Sequence, residues 1–157
     1  MTKLRDRAHA LFSVACQAAD PRVALSRALL STPLPRPDPG GRLLLIAIGK
    51  AAVPMAEALL QAAGESVDQA IIVTNRENAR PVAGAQVNAS GHPVPDAEGE
   101  AAAHAVETLL RGATAADRVV ALISGGGSAL LPAPVEGITL ADKAAVSRLL
   151  LAGGFDI

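Results

Sequence analysis

Val119-Val120-Ala121-Leu122-Ile123 runs directly into Ser124-Gly125-Gly126-Gly127-Ser128. Five apolar residues, three of them β-branched, predict a buried strand closed by a tight loop. Glycine admits positive φ and lets backbone N–H groups come close to a ligand. Ser124 and Ser128 add hydroxyl donors at either side. A loop of this kind after a strand suits phosphate or carboxylate oxygens. A glycine-rich turn with no ligand is the alternative.

Working outward, Leu43–Ile48 is apolar at every position, as expected of a central parallel strand. Gly49-Lys50 follows it, and residues 51–63 have a helical pattern with Pro54 tolerated in the first turn. Shorter strands are expected over 70–74 and 86–89, and a final one over 118–124. A helix opens at Asp96 or Ala97 and runs to about Arg111. Thr139 precedes another, with Asp142 three residues on as in a capping box, and Gly153-Gly154 ends it. Near the amino terminus Leu4, Ala8, Leu11, Phe12, Ala15 and Ala19 recur at helical spacing, with Thr2 as a candidate cap. Asp20-Pro21 stops that helix and starts the next, and residues 31–42 form a proline-rich connector. Strands alternating with helices predict an α/β fold: a Rossmann-like parallel sheet with helices on both faces. Ligands of such sheets bind beyond the carboxyl ends of the strands, where the loops after Ile48 and Ile123 both lie.

Composition narrows the possibilities. A chain of 157 residues fits one domain with a real core. Phe12 and Phe155 are its only aromatic residues, which argues against base stacking and nucleic-acid binding. The net charge of −1 creates no field that would draw nucleic acid or an acidic membrane. Residues 1–42 carry seven Lys and Arg against Asp6, Asp20 and Asp38, which is expected to be a solvated helical face rather than a basic arm. Cys16, the single cysteine, excludes an internal disulfide and is expected to be a small buried hydrophobe. Lys3, Arg5, Asp6 and Arg7 leave no apolar signal segment, and no apolar run reaches spanning length. A cytoplasmic location is the expectation.

Two further groups carry chemistry. Lys50 places a cation just past a buried strand and beside a helix N-terminus, both favourable to an anion. The helix end contributes ~0.3–1 kcal/mol and a charge-assisted contact roughly 1.5–3, so the lysine dominates. This is no Walker A loop, because Leu44 and Ala51 occupy its glycine and Ser/Thr positions. No G-x-G-x-x-G follows a strand either, which argues against a dinucleotide fingerprint. In Gly91-His92-Pro93-Val94-Pro95-Asp96, His92 can donate to an anion or relay a proton. Two prolines stiffen this segment, and Asp96 reads first as the cap of the helix that follows. His9 and His104 lack metal-ligand companions, and no Cys/His cluster suggests zinc.

Taken together, Lys50, His92-Pro93-Val94-Pro95-Asp96, Ser124–Ser128 and Gly137-Ile138-Thr139-Leu140-Ala141-Asp142-Lys143 resemble one family, in the family's order from about Leu4 to Phe155. They are similar to the class II glycerate kinases, the glycerate 2-kinases whose second domain is called MOFRL. The resemblance implies ATP- and Mg2+-dependent phosphorylation of glycerate to 2-phosphoglycerate, in a cleft between a Rossmann-like N-terminal domain and MOFRL. Lys50 maps onto the functional lysine of that family. Ser124, Gly125, Gly126, Gly127 and Ser128 map onto its glycine-rich motif, with His92 as a further candidate for phosphate or substrate. The metal ligands are not identifiable. The family continues past Ile157, so residues 1–157 are expected to be an incomplete N-terminal domain with MOFRL absent. Such a chain is expected to be inactive alone and prone to self-association through an uncovered sheet edge. The alternatives are a non-catalytic sugar-phosphate-binding module, similar to sugar isomerase domains, and a hydroxypyruvate reductase, a name some relatives carry.

Overall fold

The computed structural model describes residues 2–155. Four parallel strands form one sheet: β1 (Leu43–Ile48), β2 (Gln69–Asn75), β3 (Gln86–Ser90) and β4 (Arg118–Ile123), in the spatial order β3-β2-β1-β4. The helices are α1 (Thr2–Ala18), α2 (Pro21–Ser31), α3 (Ala52–Ala63), α4 (Ala97–Arg111), the single turn α5 (Gly127–Leu130) and α6 (Leu140–Ala152). The expected α/β sheet with helices on both faces is present. Among the described residues no helix is long and apolar enough to cross a membrane.

β1 is central because it is apolar on both faces. Leu45 and Ala47 pack with Val53, Ala56 and Leu59 of α3, together with Ile72 and Leu122. The alternate residue Ile46 packs on the other face with Ile71, Val73, Ala102 and Val106 of α4, and Leu130 of α5. A fully buried leucine of this kind stabilises the fold by roughly 1.5–3 kcal/mol relative to an exposed one.

The helix ends follow their caps. Asp20 Oδ1 accepts from the Arg22 N–H at 2.8 Å, with Pro21 opening α2. Asp96 Oδ1 accepts from the Gly99 N–H at 2.9 Å and starts α4. At α6 both halves of the capping box form: the Asp142 N–H donates to Thr139 Oγ1 at 3.1 Å, and the Thr139 N–H to Asp142 Oδ2 at 2.9 Å. The side-chain role suggested for Thr2 lies outside the described residues.

Ion pairs pin the layers. Glu57 of α3 binds Arg22 of α2 at 3.1 Å and also pairs with Arg80, holding α2 over α3. The Arg80 contact chiefly, with Arg22 helping against burial, lowers the Glu57 pKa to about 2. At the amino end of the sheet, buried Asp117 accepts from the Arg42 N–H at 2.6 Å, from the Arg42 guanidinium at 2.8 Å and from the Thr114 N–H at 2.9 Å. These bonds, the guanidinium first, hold its carboxyl well below the usual range.

Three expectations are corrected. The run 119–123 is not a fully buried strand: Leu122 is buried, but Val119 is 41% and Ile123 70% exposed. β4 occupies the sheet edge, and its alternate residues Val119, Ala121 and Ile123 are exposed. The strand also ends at Ile123 rather than Ser124, which turns away into the loop. Cys16 is exposed, not buried, because α1 lies outside the sheet layers. The α1 stripe of Leu4, Leu11 and Phe12 likewise faces outward.

The open edge of β4 gives a direct prediction. The 157-residue chain self-associates through β4, and Val119→Lys, which sets a charge on that strand, shifts it toward monomer in light scattering. An unchanged size distribution for the variant contradicts that role for the edge.

Candidate functional site

All four strands run the same way, so their carboxyl ends share one edge of the sheet. Gly49-Lys50 follows β1, Arg76–Asn78 follows β2, Gly91-His92 follows β3, and the glycine loop follows β4. Parallel pairing of Ile48 with Ile123 sets the first and last of these side by side.

The two loops are hydrogen-bonded into one unit. The Ser124 N–H donates to the Ile48 carbonyl at 2.8 Å, and the Lys50 N–H to the Gly125 carbonyl at 2.9 Å. Ser124 Oγ accepts from the Ala51 N–H at 3.0 Å and donates to the Ile48 carbonyl at 3.3 Å. Position 49 has to be glycine: its φ is +116° and a Cβ there would collide with Ser124 Oγ. Lys50 itself is exposed.

Beyond Ser124 the backbone turns through Gly126, at φ +97°, and enters α5. Among the described residues no acceptor faces the N–H groups of Gly125, Gly126, Gly127 or Ser128. Successive free N–H groups around a left-handed residue form a concavity that suits an anion. Ser128 is exposed beside it, whereas the Ser124 hydroxyl is engaged in joining the loops. The sequence pattern predicts loop throughout this stretch; the structure makes Gly127–Leu130 a helical turn.

His92 sits against Gly126, with Cδ2 and Nε2 lying 3.1 and 3.3 Å from where a Gly126 Cβ would stand. The His92–Pro93 peptide is cis. A hollow of about 230 Å3 between these groups is lined by His92, Pro93, Gly126, Ser128, Ala129, Leu151 and Phe155. Burial first, then the nearby Lys50 charge, lowers the His92 pKa from 6.5, against a smaller pull from Glu77. Both effects favour the neutral imidazole. His92 contributes stability above pH 6.5 that is lost as pH falls, because the unfolded chain then binds a proton the folded one resists.

Asp96 is fully occupied. Besides capping α4, it pairs with Arg76 at 2.5 Å. Burial works to raise its pKa, but the Gly91 and Gly99 N–H groups and Arg76 outweigh it and the pKa falls. Among the described residues no three His, Cys, Asp or Glu side chains gather as a metal site. Asn75, Arg76, Glu77 and Asn78 also reach this edge, and sequence reasoning does not single them out. Their signal is a polar run directly after an apolar strand, the same pattern that marks Lys50 and Ser124.

The profile of a family described as a domain of unknown function, DUF4147, matches residues 7–157. Human glycerate kinase is 35% identical over 98% of this chain and 34% of its own length. D-glycerate 2-kinase of Thermotoga maritima is 33% identical over 74% of this chain and 28% of its own. An Agrobacterium vitis protein provisionally named hydroxypyruvate reductase is 39% identical over 94% of this chain and 32% of its own. The crystal structure of the Thermotoga maritima glycerate kinase superposes with a TM-score of 0.84 at 29% identity, covering 99% of this chain and 36% of that one. The chain thus spans about a third of the length of these relatives.

Two outcomes are expected at this edge. Titration with inorganic phosphate moves the His92 pKa upward, read from its ring proton shifts against pH, because an anion offsets the Lys50 charge; an unmoved pKa removes His92 from the site. Gly126→Val weakens phosphate binding by roughly tenfold or more, the loss of a charge-assisted contact. Calorimetry beside a thermal melt separates binding from folding, and a large fall in Tm with unchanged affinity makes Gly126 structural only.

Proposed function

The chain belongs to the DUF4147 family, and on that membership and the geometry of its sheet edge we propose that it forms one wall of a glycerate 2-kinase site. The observation that carries the proposal is the joining of Lys50 to a loop whose four N–H groups meet no acceptor among the described residues. The relatives named glycerate kinase support the choice of reaction. In that reaction the 2-hydroxyl oxygen of glycerate forms a bond to the γ-phosphorus of ATP as the bond to the ADP oxygen breaks. The hydroxyl proton is released, and the products are 2-phosphoglycerate and ADP.

This chain's share of the work is positioning and charge. Phosphoryl transfer spreads negative charge over three oxygens and needs little else from the protein. Lys50 neutralises part of that charge, or that of the glycerate carboxylate. The N–H groups of Gly125 to Ser128 hold oxygens in a fixed arrangement that costs no reorganisation as charge develops. His92, neutral beside Gly126, offers one ring nitrogen as donor and the other as acceptor. Magnesium would screen the phosphate charge when bound. The described residues offer no ligand set for it, with Asp96 held by Arg76 and the α4 cap, so no step is assigned through it. Glycerate as small-molecule partner and a cytoplasmic setting complete the proposal. A reductase reading rests on the Agrobacterium vitis name; Gly49-Lys50 and the Ser124–Ser128 loop stand where a dinucleotide fingerprint would be needed.

Lys50→Ala tests the reading at two levels. In the 157-residue chain it weakens phosphate binding by roughly tenfold or more. In a fusion of this chain to the part of the Thermotoga maritima relative that it does not match, it lowers kcat/KM for glycerate by about 100-fold or more. The chain alone, assayed with ATP, Mg2+ and D-glycerate, gives no turnover, since a transfer site has to hold both reactants together. Wild-type kinetics from the variant, or turnover by the isolated chain, contradicts the proposal.

A further inference from the structure

Because β1 lies between β2 and β4, the residue that leaves β1 is reached from both sides. From the β4 side the Gly125 carbonyl accepts the Lys50 N–H at 2.9 Å. From the β2 side the contact comes from a side chain. The amide of Asn78 donates to the Lys50 carbonyl at 2.9 Å and to Asn75 Oδ1 at 2.8 Å. An amide nitrogen carries two hydrogens, and these two acceptors use both. Asn75 is itself fixed: its amide donates to Glu77 Oε2 at 2.5 Å, and Thr74 Oγ1, fully buried, donates to Asn75 Oδ1 at 3.3 Å.

We propose that Asn78 is a positioning residue for Lys50, fixing the peptide from which the lysine side chain rises so that its ammonium is delivered to the anion held by the glycine loop. The inference rests on the assignment of Lys50 to anion binding made above. The physical reason lies in lysine itself. Its four-carbon stem is flexible and its ammonium is a point charge without a planar fork to set direction. Whatever order the side chain has at its tip starts from the order of its backbone. With the N–H tied to Gly125 and the carbonyl tied to Asn78, neither adjoining peptide can rotate without breaking a bond. Asn78 reaches no described group of the glycine loop. Its influence on a bound anion therefore passes through Lys50.

A double-mutant cycle on the 157-residue chain, titrated with inorganic phosphate and followed by 15N NMR, tests this. Asn78→Ala raises the phosphate Kd by roughly 3- to 10-fold, the worth of one hydrogen bond, and speeds amide exchange at Lys50. In a Lys50→Ala background the same change has less than about a twofold effect, because residues acting as one unit are not additive. Asn78 is exposed, so the melt stays close to the parent. Asn78→Ser, too short to reach the Lys50 carbonyl, reproduces the result and serves if the alanine variant does not fold. Equal losses in both backgrounds, or a lowered Tm with unchanged Kd, overturn the inference. The two readings fail differently: Lys50→Ala without effect on Kd overturns the assignment of Lys50, whereas a Lys50→Ala effect with Asn78→Ala silent overturns only the role of Asn78.

Discussion

Ser124 Oγ accepts the Ala51 N–H and donates to the Ile48 carbonyl, filling the space that a side chain at position 49 would take. This lock between the ends of β1 and β4 governs the whole sheet edge. It sets the height at which Lys50 leaves β1. It fixes the start of the turn after β4, whose following N–H groups meet no acceptor among the described residues. Each bond contributes only ~0.5–1.5 kcal/mol net. Their geometric effect is larger, because a close-packed junction has few alternative arrangements. Serine and glycine are complementary here, since the first supplies the bonding atoms and the second vacates the room they need.

The two edges of the sheet are held by different groups. At the amino edge, carboxylates hold the chain: Asp68 accepts from the Leu43 N–H at 2.7 Å, and Asp117 gathers Arg42 and the Thr114 N–H. The carboxyl edge carries both signs, Lys50 and Arg76 among Glu77, Asp96 and Glu98, beside glycine-loop N–H groups that meet no acceptor among the described residues. Arg76 is balanced by Asp96 and Glu98. Lys50 has no described carboxylate in ion-pair contact, which supports the anion-binding role proposed for it.

The sheet was legible because its signals are local. Leu43–Ile48 is apolar throughout, and Asp20, Asp96 and Thr139 are residues whose side chains cap helices by short-range bonds. The glycine loop and Lys50 were legible for the same reason, as punctuation at strand ends. What the sequence did not disclose depends on strand order. Nothing in Val119–Ile123 says that β4 is an edge, and nothing near Cys16 says that its helix sits outside the layers. Asn78 was invisible for a related reason. Its partner, Lys50, is 28 positions away, and only the β1–β2 pairing brings them together. His92 could be named as a candidate, but the lowering of its pKa comes from burial first and the Lys50 charge second, and its neighbour Gly126 lies 34 residues on.

Ile123 is the last residue of β4, lies 70% exposed, and is joined directly to the glycine loop. A segment that covers this half of the strand and a ligand that occupies the loop therefore act on the same few residues. Where the strand end fluctuates, only the fraction with the loop correctly set can bind, and the apparent affinity falls by that fraction. Covering the strand raises the fraction. By thermodynamic reciprocity, a bound phosphate tightens the strand's hold on its cover by the same factor. If the loop holds an anion as proposed, the apolar face of β4 and that loop are two ends of one equilibrium.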